Sequence, residues 1–342
     1  MEIAFLMDPL GSINPVDDTT SHLMYACNQR GHTVYFLEPH DVYIRGGAVV
    51  ARMRNVTVAR DLSMTKYWQA MIRCLQKEEL IFETVTDLDA LFLRKKPPLN
   101  YQVMEFLGPV GEQVFIINSA IGQILGNSKL YTLNFPDISP ETHVSRDPQR
   151  LKKIIDDFGG AMVVKPLQRY GGEGVIKVST RDQENLASLI DYYVQANRVY
   201  PKREPIMVQA YVNAEKYGGH VRILMLNGEV LGALRRKSVP GAFKAGPCAD
   251  GLVCRHDVTF RQASICAAVK DRLIKDGLYF VSLDLIGDQL VAINCACPGG
   301  IPWINRLDNV RLELKIVDFI ENRLKFKAPR PEGIKRSRRK AG

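Results

Sequence analysis

The sequence predicts a mixed α/β (α+β) protein in which an open α/β region precedes two regions built on antiparallel hairpins. The apolar run EIAFLMD, a helical stretch over residues 18–30 and the apolar run TVYFLE make a βαβ unit, which requires parallel strands. Farther along, two strands flank a glycine-rich turn in AMVVKPLQRYGGEGVIKV. Two later strand pairs turn at Asn227-Gly228 and Gly287-Asp288, dipeptides that are typical of hairpins.

The first region ends near residue 120. Gly31 ends its first helix, the double proline of DALFLRKKPP closes a further strand, and VFIIN predicts another. A second region begins at NSKLYTL and contains the glycine-rich hairpin, and a third contains the two later hairpins. The helical periodicity places four more helices near residues 147–158, 181–197, 261–276 and 308–325.

Composition favours a protein of more than one domain in a reducing compartment. With 342 residues, 46% of them hydrophobic, the chain is long enough to bury several cores. We find no charged-then-apolar leader, and the apolar runs are much shorter than a membrane span, so we expect no membrane association. Seven cysteines, an odd number in a long sequence without a secretory signal, indicate a cytoplasmic protein, and the lack of a CxxC pair disfavours structural zinc.

The net charge of +9 lies almost entirely near the C-terminus. Residues 323–342 carry nine Lys/Arg and one acid, so this stretch accounts for +8. Its last part, residues 328–342, has few apolar residues and is expected to be a basic disordered tail. A solvated extension and a weak contact with polyanions both remain open, and no specific nucleic-acid binding is predicted.

The glycine-rich hairpin is the first candidate binding element. Gly171, Gly172 and Gly174 lie between its strands, and Lys165 lies on the strand before them. Glycine backbone can approach phosphates and offer N–H donors, while a lysine supplies positive charge. The dinucleotide fingerprint requires a strand, a loop and then a helix, so this hairpin excludes it. A phosphate-binding loop and a flexible turn are both consistent with these residues.

Polar residues on the later strands suit the same ligand. Gln209 ends the strand PIMVQ, and Arg222 and Arg236 lie on the two arms of one hairpin. Asp284 lies inside an apolar strand, where a carboxylate is costly to bury unless it has a partner. Together, such cations and oxygen ligands fit a nucleoside triphosphate with Mg²⁺. The full array is Lys129, Lys165, Gln209, Arg222, Arg236, Asp284 and Asn294.

The order and spacing of several stretches carry a resemblance to a known family. The stretches are MDPLGSIN with DDTT after it, LFLRKKPP, NSKLYT, FPDISPETHVSR, VVKPLQRYGGEG, VQAYV, VRILMLNGEV and LDLIGDQLVAIN. Over nearly all of residues 1–325 the chain resembles the bacterial glutathione synthetases of the ATP-grasp superfamily, as a divergent member. The resemblance implies an ATP-grasp fold with an N-terminal open α/β domain (1–120), a central lid domain (121–205) and a C-terminal antiparallel-sheet domain (206–327). It also implies a homo-oligomer, a dimer or a tetramer.

The resemblance further implies a ligase that uses ATP and Mg²⁺. ATP would phosphorylate the carboxylate of a γ-glutamyl dipeptide, and an amine such as glycine would attack the acylphosphate. Arg222 and Arg236 would be catalytic, and Asp284 and Asn294 would bind Mg²⁺. The residues implied to bind ATP are Lys129, Lys165, Gly171, Gly172, Gly174, Gln209, Tyr211 and Val212. The residues implied to bind substrate are Asn14, Asp18, Thr19, Arg94, Pro298, Gly299 and Gly300.

The loop CPGGIPW, which contains the last three of these substrate residues, allows two interpretations. Its backbone N–H groups either bind a substrate carboxylate or form a tight turn after the last strand. Both interpretations remain open from the sequence.

The sequence departs from the family pattern on the metal side of the site. Ala292 stands where the family places a Glu that bridges two Mg²⁺ ions, two residues before Asn294. His220 stands where an acidic residue is expected, and AFKAGPCADG replaces an Asn and paired glycines. The loss of a carboxylate weakens a site for a hard cation. Three functions therefore stay open: an active ligase, a non-catalytic protein that binds nucleotide or peptide, and an enzyme that modifies a protein terminus.

Overall fold

The computed structural model describes residues 1–76, 80–167, 170–179, 183–194, 204–237, 253–325 and 339–340. Its strands are β1 (Glu2–Leu6), β2 (Thr33–Leu37), β3 (Val42–Arg45), β4 (Ala48–Asn55), β5 (Leu80–Thr84), β6 (Ala90–Leu93), β7 (Phe115–Ile117), β8 (Thr142–Ser145), β9 (Ala161–Pro166), β10 (Ile176–Ser179), β11 (Ile206–Ala210), β12 (His220–Leu226), β13 (Glu229–Arg236), β14 (Val253–Arg255), β15 (Phe280–Ile286), β16 (Gln289–Asn294) and β17 (Arg339–Lys340). Its α-helices are α1 (Thr19–Gln29), α2 (Met64–Gln76), α3 (Tyr101–Leu107), α4 (Ala120–Gly126), α5 (Pro148–Phe158), α6 (Gln183–Val194), α7 (Phe260–Lys275), α8 (Ile301–Asp308) and α9 (Leu312–Lys325). No helix in these ranges is long and apolar enough to cross a membrane.

The N-terminal sheet has the strand order β17-β5-β4-β2-β1-β6-β7, with β3 paired to β4. Strands β2, β1, β6 and β7 are parallel, which confirms the predicted βαβ unit, with α1 as the crossover helix. The antiparallel strands β3, β4 and β5 and helix α2 lie outside that prediction. Strand β4, whose sequence is AVVARMRN, packs into the core, but its two arginines interrupt the apolar pattern. For this reason the sequence pattern did not predict it.

The central sheet has the order β10-β9-β11-β8 and antiparallel pairings. The pairing of β9 with β10 confirms the predicted hairpin around the glycine-rich turn. Strand β11 lies between β9 and β8, so the central sheet extends past the predicted boundary at residue 205. The chain enters this sheet at β8 and leaves it at β11, and these two strands are neighbours.

The C-terminal sheet has the order β14-β13-β12-β15-β16, again with antiparallel pairings. Both predicted hairpins are confirmed. Asn227 and Gly228 have positive φ angles of 50° and 77°, as the tight turn between β12 and β13 requires. Helix α7 packs on one face of the sheet. On the other face, side chains of β12 and β15 pack against the N-terminal domain.

One apolar core joins the N-terminal and C-terminal domains. It includes Phe5 of β1, Phe280 of β15 and Ile316 of α9. The central sheet has a core of its own, whose buried members all lie between Leu151 and Val208. The first and third domains therefore form one packed body, and the central sheet packs around a separate interior.

Asn118 fixes the junction within that body. Its Nδ2 donates to the carbonyl oxygens of Phe280 at 2.6 Å and Cys295 at 2.7 Å, and its Oδ1 accepts from the backbone N–H of Phe280 at 2.7 Å. The side chain is buried, so these bonds satisfy groups that water does not reach. Because Phe280 begins β15 and Cys295 follows β16, Asn118 holds the two strands that carry Asp284 and Asn294.

Two features of the C-terminal part qualify the sequence predictions. The helix predicted over 308–325 begins only at Leu312, because α8 ends at Asp308 and Asn309 is left-handed with a φ of 54°. In the tail, Arg339–Lys340 pairs with β5. The rest of residues 328–342 lies outside the described residues, so its disorder stays a prediction.

Candidate active site

A cavity of about 410 Å³ lies between the central and C-terminal sheets. Its wall is made by β9, β11 and the glycine-rich turn on one side and by β12, β15 and β16 on the other. It brings together most of the residues predicted to bind ATP, act as catalytic cations or bind metal. Those in its wall are Lys129, Lys165, Gly171, Gly172, Gln209, Tyr211, Val212, Arg222, Arg236, Asp284 and Asn294.

Lys165 projects from β9 into the cavity wall. Its Nζ donates to Gln209 Oε1 at 2.5 Å and to the carbonyl oxygen of Val291 at 3.5 Å. Gln209 Nε2 donates to Thr142 Oγ1 at 2.8 Å, which directs the amide oxygen toward the lysine. Burial, and then the charge of Lys129, lower the pKa of Lys165 to about 8. A phosphate would supply the negative charge that these neutral oxygens lack.

Lys129 reaches the same region from the opposite wall. It begins a 3₁₀ helix (Lys129–Asn134) that packs against β16. Its Nζ donates to the carbonyl oxygen of Pro166 at 2.7 Å and lies 5.7 Å from the centre of the Tyr170 ring. Burial lowers the pKa of Lys129 to about 8. Two partly desolvated ammonium groups therefore converge from the two walls.

The glycine-rich turn uses backbone that only glycine adopts easily. The φ angles are 60° at Gly171, 77° at Gly172 and 68° at Gly174. Gly171 and Gly172 line the cavity. Gly174 does not line the cavity. Its carbonyl oxygen accepts from Tyr193 Oη at 3.0 Å, and a Cβ at this position would lie 3.0 Å from Pro166 Cγ. Gly174 therefore belongs to the packing of the hairpin and not to the cavity wall.

Asp284 and Arg222 face each other from the neighbouring strands β15 and β12. The guanidinium donates from Nε to Oδ1 and from Nη2 to Oδ2, both at 2.7 Å. Asn294 Nδ2 donates to the same Oδ2 at 2.9 Å. Burial alone would raise the pKa of Asp284, but Arg222, Arg236 and Asn294 together outweigh burial and hold that pKa below its ordinary value. Asp284 is thus an ionised carboxylate that is already bonded to Arg222 and Asn294.

Ala292 lies directly opposite Asp284 in the pairing of β15 with β16, and it lines the cavity. Its methyl group offers no oxygen where the family resemblance implies a bridging carboxylate. Within the described ranges, no group of three or more His, Cys, Asp or Glu side chains is placed to hold a metal ion. Mg²⁺ is a hard cation that binds oxygen ligands, carboxylates first among protein groups. A single carboxylate that is already paired with Arg222 does not fit a pair of Mg²⁺ ions.

His220 lies opposite Arg236 in the pairing of β12 with β13, and both side chains line the cavity. The Nε2 of His220 is buried and has no hydrogen-bond partner among the residues that the structure describes. Burial is the main cause of a lowered pKa at His220, and Arg236 and Lys165 act in the same direction. The charge of Asp284 opposes them without reversing the shift. His220 therefore presents a neutral imidazole to the cavity.

Arg94 is buried at the junction of the N-terminal domain with the segment after β16. It donates from Nε to Thr20 Oγ1 at 3.1 Å and from Nη2 to the carbonyl oxygen of Pro298 at 2.8 Å. Its guanidinium carbon lies 5.5 Å from the centre of the Phe280 ring. These contacts tie the loop after β16 to the first domain.

The loop CPGGIPW is held from the other side by Thr19. Thr19 Oγ1 accepts from the backbone N–H groups of Gly300 at 3.1 Å and Ile301 at 3.3 Å. The carbonyl oxygen of Gly299 accepts from Arg222 Nη1 at 3.4 Å. Because two of its N–H groups already have an acceptor, the loop favours the tight-turn interpretation over the binding of a carboxylate.

Asn14 and Asp18 lie in the segment that leads into α1. Asn14 is exposed, donating from Nδ2 to Asp17 Oδ2 at 3.0 Å and accepting at Oδ1 from the backbone N–H of Val16 at 3.2 Å. Asp18 caps α1 by accepting from the backbone N–H of Ser21 at 2.8 Å. The cavity wall contains none of the seven predicted substrate residues, all of which lie in the described ranges. The loop that contains three of them nevertheless adjoins the cavity, because Gly299 is bonded to Arg222, and their part in substrate binding stays a prediction.

The sequence interpretation missed the apolar part of the cavity wall. Val163 shares a strand face with Lys165, and Met207 shares one with Gln209, because side chains two residues apart point the same way. That alternation, counted from the lysine and the glutamine, was the signal that could have found them. Flat apolar walls of this kind suit an adenine ring. Besides Val212, which was predicted, the apolar lining residues include Val163, Val175, Met207, Ala210, Ala214, Ile286, Val291 and Ile293.

Comparison with known proteins decides the family. Residues 1–122 match the profile of the prokaryotic glutathione synthetase N-terminal domain, and residues 128–309 match that of the prokaryotic glutathione synthetase ATP-grasp domain. The chain belongs to the prokaryotic glutathione synthetase family. Glutathione synthetase from a Synechocystis strain is 32% identical over 327 residues, covering 94% of this chain and 99% of that protein. Glutathione synthetase from Gloeobacter violaceus is 34% identical over 329 residues, covering 94% and 96% respectively.

Solved structures share the fold of this family member. The D-cycloserine synthetase DcsG has a TM-score of 0.62 at 14% identity, covering 94% of this chain and 100% of that chain. The ATP-grasp ligase PsnB, complexed with a minimal precursor, Mg and ADP, has a TM-score of 0.60 at 12% identity, covering 94% and 98%. The predicted ATP-grasp fold class is confirmed. Family membership also confirms the predicted enzyme class, a glutathione synthetase-like ligase that uses ATP and forms a C–N bond.

Proposed function

We propose that the cavity binds ATP and that the chain joins an amine such as glycine to the carboxylate of a γ-glutamyl dipeptide. The observation that carries the proposal is the convergence of Lys129, Lys165 and Arg236 with the glycine-rich turn in one cleft. The phosphates would face these cations. The adenine would lie along the apolar wall beside Gln209, where Tyr211 and Val212 follow the end of β11.

The proposed chemistry is activation of a carboxylate. The terminal phosphoryl group of ATP moves to a carboxylate oxygen of the substrate, which breaks its bond to ADP and forms an acylphosphate. The amine nitrogen then attacks the acyl carbon, inorganic phosphate leaves, and the nitrogen loses a proton to give the amide. Arg236 and Lys165 are placed to stabilise charge on the transferring group, and cations held in a partly desolvated site do so well.

Arg222 has a different proposed part, because Asp284 and the Gly299 carbonyl already accept from three of its five N–H groups. It holds Asp284 ionised and connects the cavity to the loop that follows β16. Mg²⁺ is part of the chemistry that the family resemblance implies. The donors around Asp284 do not fit a metal pair, so the proposal assigns the phosphate charge to side chains.

A second candidate is nucleotide binding without ligation. Ala292 at the position of the bridging acid favours it, since the lost carboxylate belongs to the catalytic side of the site. The nucleotide side keeps its lysines and its glycine-rich turn. The third possibility, modification of a protein terminus, depends on a basic tail that lies largely outside the described residues and gains no support from the cavity.

The test measures ADP and the joined product together. Wild-type protein with ATP, Mg²⁺, a γ-glutamyl dipeptide and glycine should release ADP and form the amide in equal amounts. Omission of either substrate should stop amide formation. Lys165→Ala should abolish turnover, whereas Lys216→Ala, a change at an exposed lysine outside the cavity wall, should not. Nucleotide binding with no amide would support the second candidate, and no nucleotide binding would contradict both.

Two further expectations accompany this proposal. We expect a homo-oligomer, a dimer or a tetramer, and a cytoplasmic location consistent with the use of cysteine. Light scattering on the purified chain measures the first directly.

A further inference from the structure

The charge balance of the cavity wall differs from that of a metal-dependent phosphate site. Among the described residues that line the cavity, the cations outnumber the acids by four to one. The acid is Asp284, and Arg222 already neutralises it through two bonds. The four cations are Lys129, Lys165, Arg222 and Arg236.

The two positions at which the resemblance implies acids both face this cavity, and neither holds a charge. Ala292 lies beside Asp284 across the hairpin, and His220 lies beside Arg236. An acid at either position would repel a bare phosphate, so that a divalent cation would have to lie between them. With Ala292 and a neutral His220, that repulsion is absent and so is the ligand that would hold the cation.

We propose that the phosphates of ADP and ATP are neutralised in this cavity by side-chain cations, so that nucleotide affinity does not depend on divalent metal ions. The inference rests on the proposed ATP site. Lys129, Lys165 and Arg236 lie in the same cavity wall and supply the charge, in addition to the Arg222–Asp284 pair. The phosphate oxygens take the place of the neutral oxygens that now accept from Lys165 and Lys129.

His220 gives the proposal a second, independent support. Its buried Nε2 has no hydrogen-bond partner within the described ranges, and a buried polar atom without a partner costs free energy. The atom lies at a wall shared with Arg236 and Lys165. A phosphate oxygen held by those cations is an acceptor for this imidazole when its Nε2 carries the proton.

The experiment is calorimetric titration of ADP into the full chain, once in excess EDTA and once in excess MgCl₂. For wild-type protein we expect dissociation constants that agree within about threefold, which is less than one kcal/mol. Ala292→Glu restores the acid, so its ADP affinity should be at least about tenfold weaker in EDTA than in Mg²⁺. Ala292→Gln has nearly the same shape without the charge and should behave like wild type.

The outcomes are distinct. Loss of wild-type ADP binding in EDTA, with binding present in Mg²⁺, overturns the inference and leaves the proposed ATP site intact. Absence of ADP binding in both buffers contradicts the proposed ATP site itself and the inference with it. If Ala292→Glu does not fold, the ratio of the two wild-type dissociation constants still decides the question. Equal metal dependence of ADP binding in the Glu and Gln variants would contradict the part of the inference that assigns this dependence to the charge at position 292.

Discussion

Two charged sites in the cavity wall, Lys165 and the Arg222–Asp284 pair, have opposite kinds of hydrogen-bond partner. On the wall formed by β9 and β11, Lys165 contacts only neutral oxygens in the bonds described above, and its pKa falls to about 8. On the wall formed by β12, β15 and β16, Arg222 and Asp284 satisfy each other through two short bonds. Among the described residues, Lys165 therefore lacks a charged partner that a ligand could supply, whereas the Arg222–Asp284 pair is already satisfied without one. Family resemblance alone would have assigned ligand binding to both.

The largest expected effect concerns the Arg222–Asp284 pair. Arg222→Ala should lower the free energy of unfolding by about 3 kcal/mol, the lower end of the range for a buried pair, because the partly buried Asp284 carboxylate loses its charged partner but keeps its bond to Asn294. Urea unfolding of the variant against wild type measures the loss. Arg222→Met combined with Asp284→Leu removes both charges and should cost much less. A single-variant loss below about 1 kcal/mol would show that the pair is worth no more than a surface ion pair.

The next effect concerns Lys165 and the affinity for ADP. Lys165→Ala should weaken ADP binding by about 10–100-fold, since a hydrogen bond to a charged group is worth roughly 1.5–3 kcal/mol. Thermal stability without nucleotide should stay the same or rise, because the variant no longer buries an ammonium group. Titration of ADP measures the affinity, with Lys216→Ala as the matched exposed-lysine control. An equal loss of affinity in the control would mean that general positive charge, and not the cavity, binds ADP.

A smaller effect tests the junction that supports both walls. Thr19→Val keeps the shape of the side chain but removes the oxygen that accepts from Gly300 and Ile301. We expect a stability loss of roughly 1–2 kcal/mol, because two buried N–H groups lose their acceptor. Thr19→Ser retains the hydroxyl and should lose less. If both variants lose the same amount in chemical denaturation, the methyl group and not the hydrogen bonds holds the loop.

The smallest effect is a dependence of stability on pH. Burial lowers the pKa of Lys165 from an ordinary value of 10.5 to about 8. Between these values the unfolded state binds more protons than the folded state, so this lysine makes stability rise with pH in that window. Below about pH 8 the lysine is charged in both states, and its contribution no longer changes.

Buried cysteines act in the opposite direction and must be cancelled. Burial raises the pKa of Cys27 and of Cys295, so deprotonation of these thiols favours the unfolded state as the pH rises. Both residues are shared by wild type and Lys165→Met. The difference in Tm between the two proteins should therefore shift in favour of wild type as the pH rises from about 7.5 to about 9.5. A constant difference would mean that Lys165 has an ordinary pKa in the folded protein.

The sequence predicted the walls of the cavity better than the bonds across them. Alternation in β15 and β16 was enough to set Asp284 opposite Ala292, because a tight turn fixes the register of a hairpin. The partner of Asp284 was not accessible in the same way. Arg222 lies on β12, which no tight turn joins to β15, so their register has no local signal in the sequence. Asp284 was therefore predicted to face a metal where the structure gives it an arginine.

The same limit explains the substrate residues. Thr19 and Arg94 were identified by resemblance as groups that contact substrate, and the structure shows them bonded to the loop after β16. A threonine oxygen that will accept from a backbone N–H far along the chain has no local signature. Hydrogen bonds between distant segments follow from the packed core, which a one-dimensional pattern does not contain.

The connection of the central sheet to the rest of the chain has a mechanical consequence. Its entry strand β8 and its exit strand β11 lie side by side, with Gln209 opposite Thr142. The described chain therefore enters and leaves the central sheet at two adjacent strands, which could act as a hinge. Because the described buried residues of this core all lie within the central sheet and its helices, we expect a rotation about these two strands to leave that core closed. Release of nucleotide would then separate polar contacts such as Lys129 to Pro166 and Lys165 to Val291.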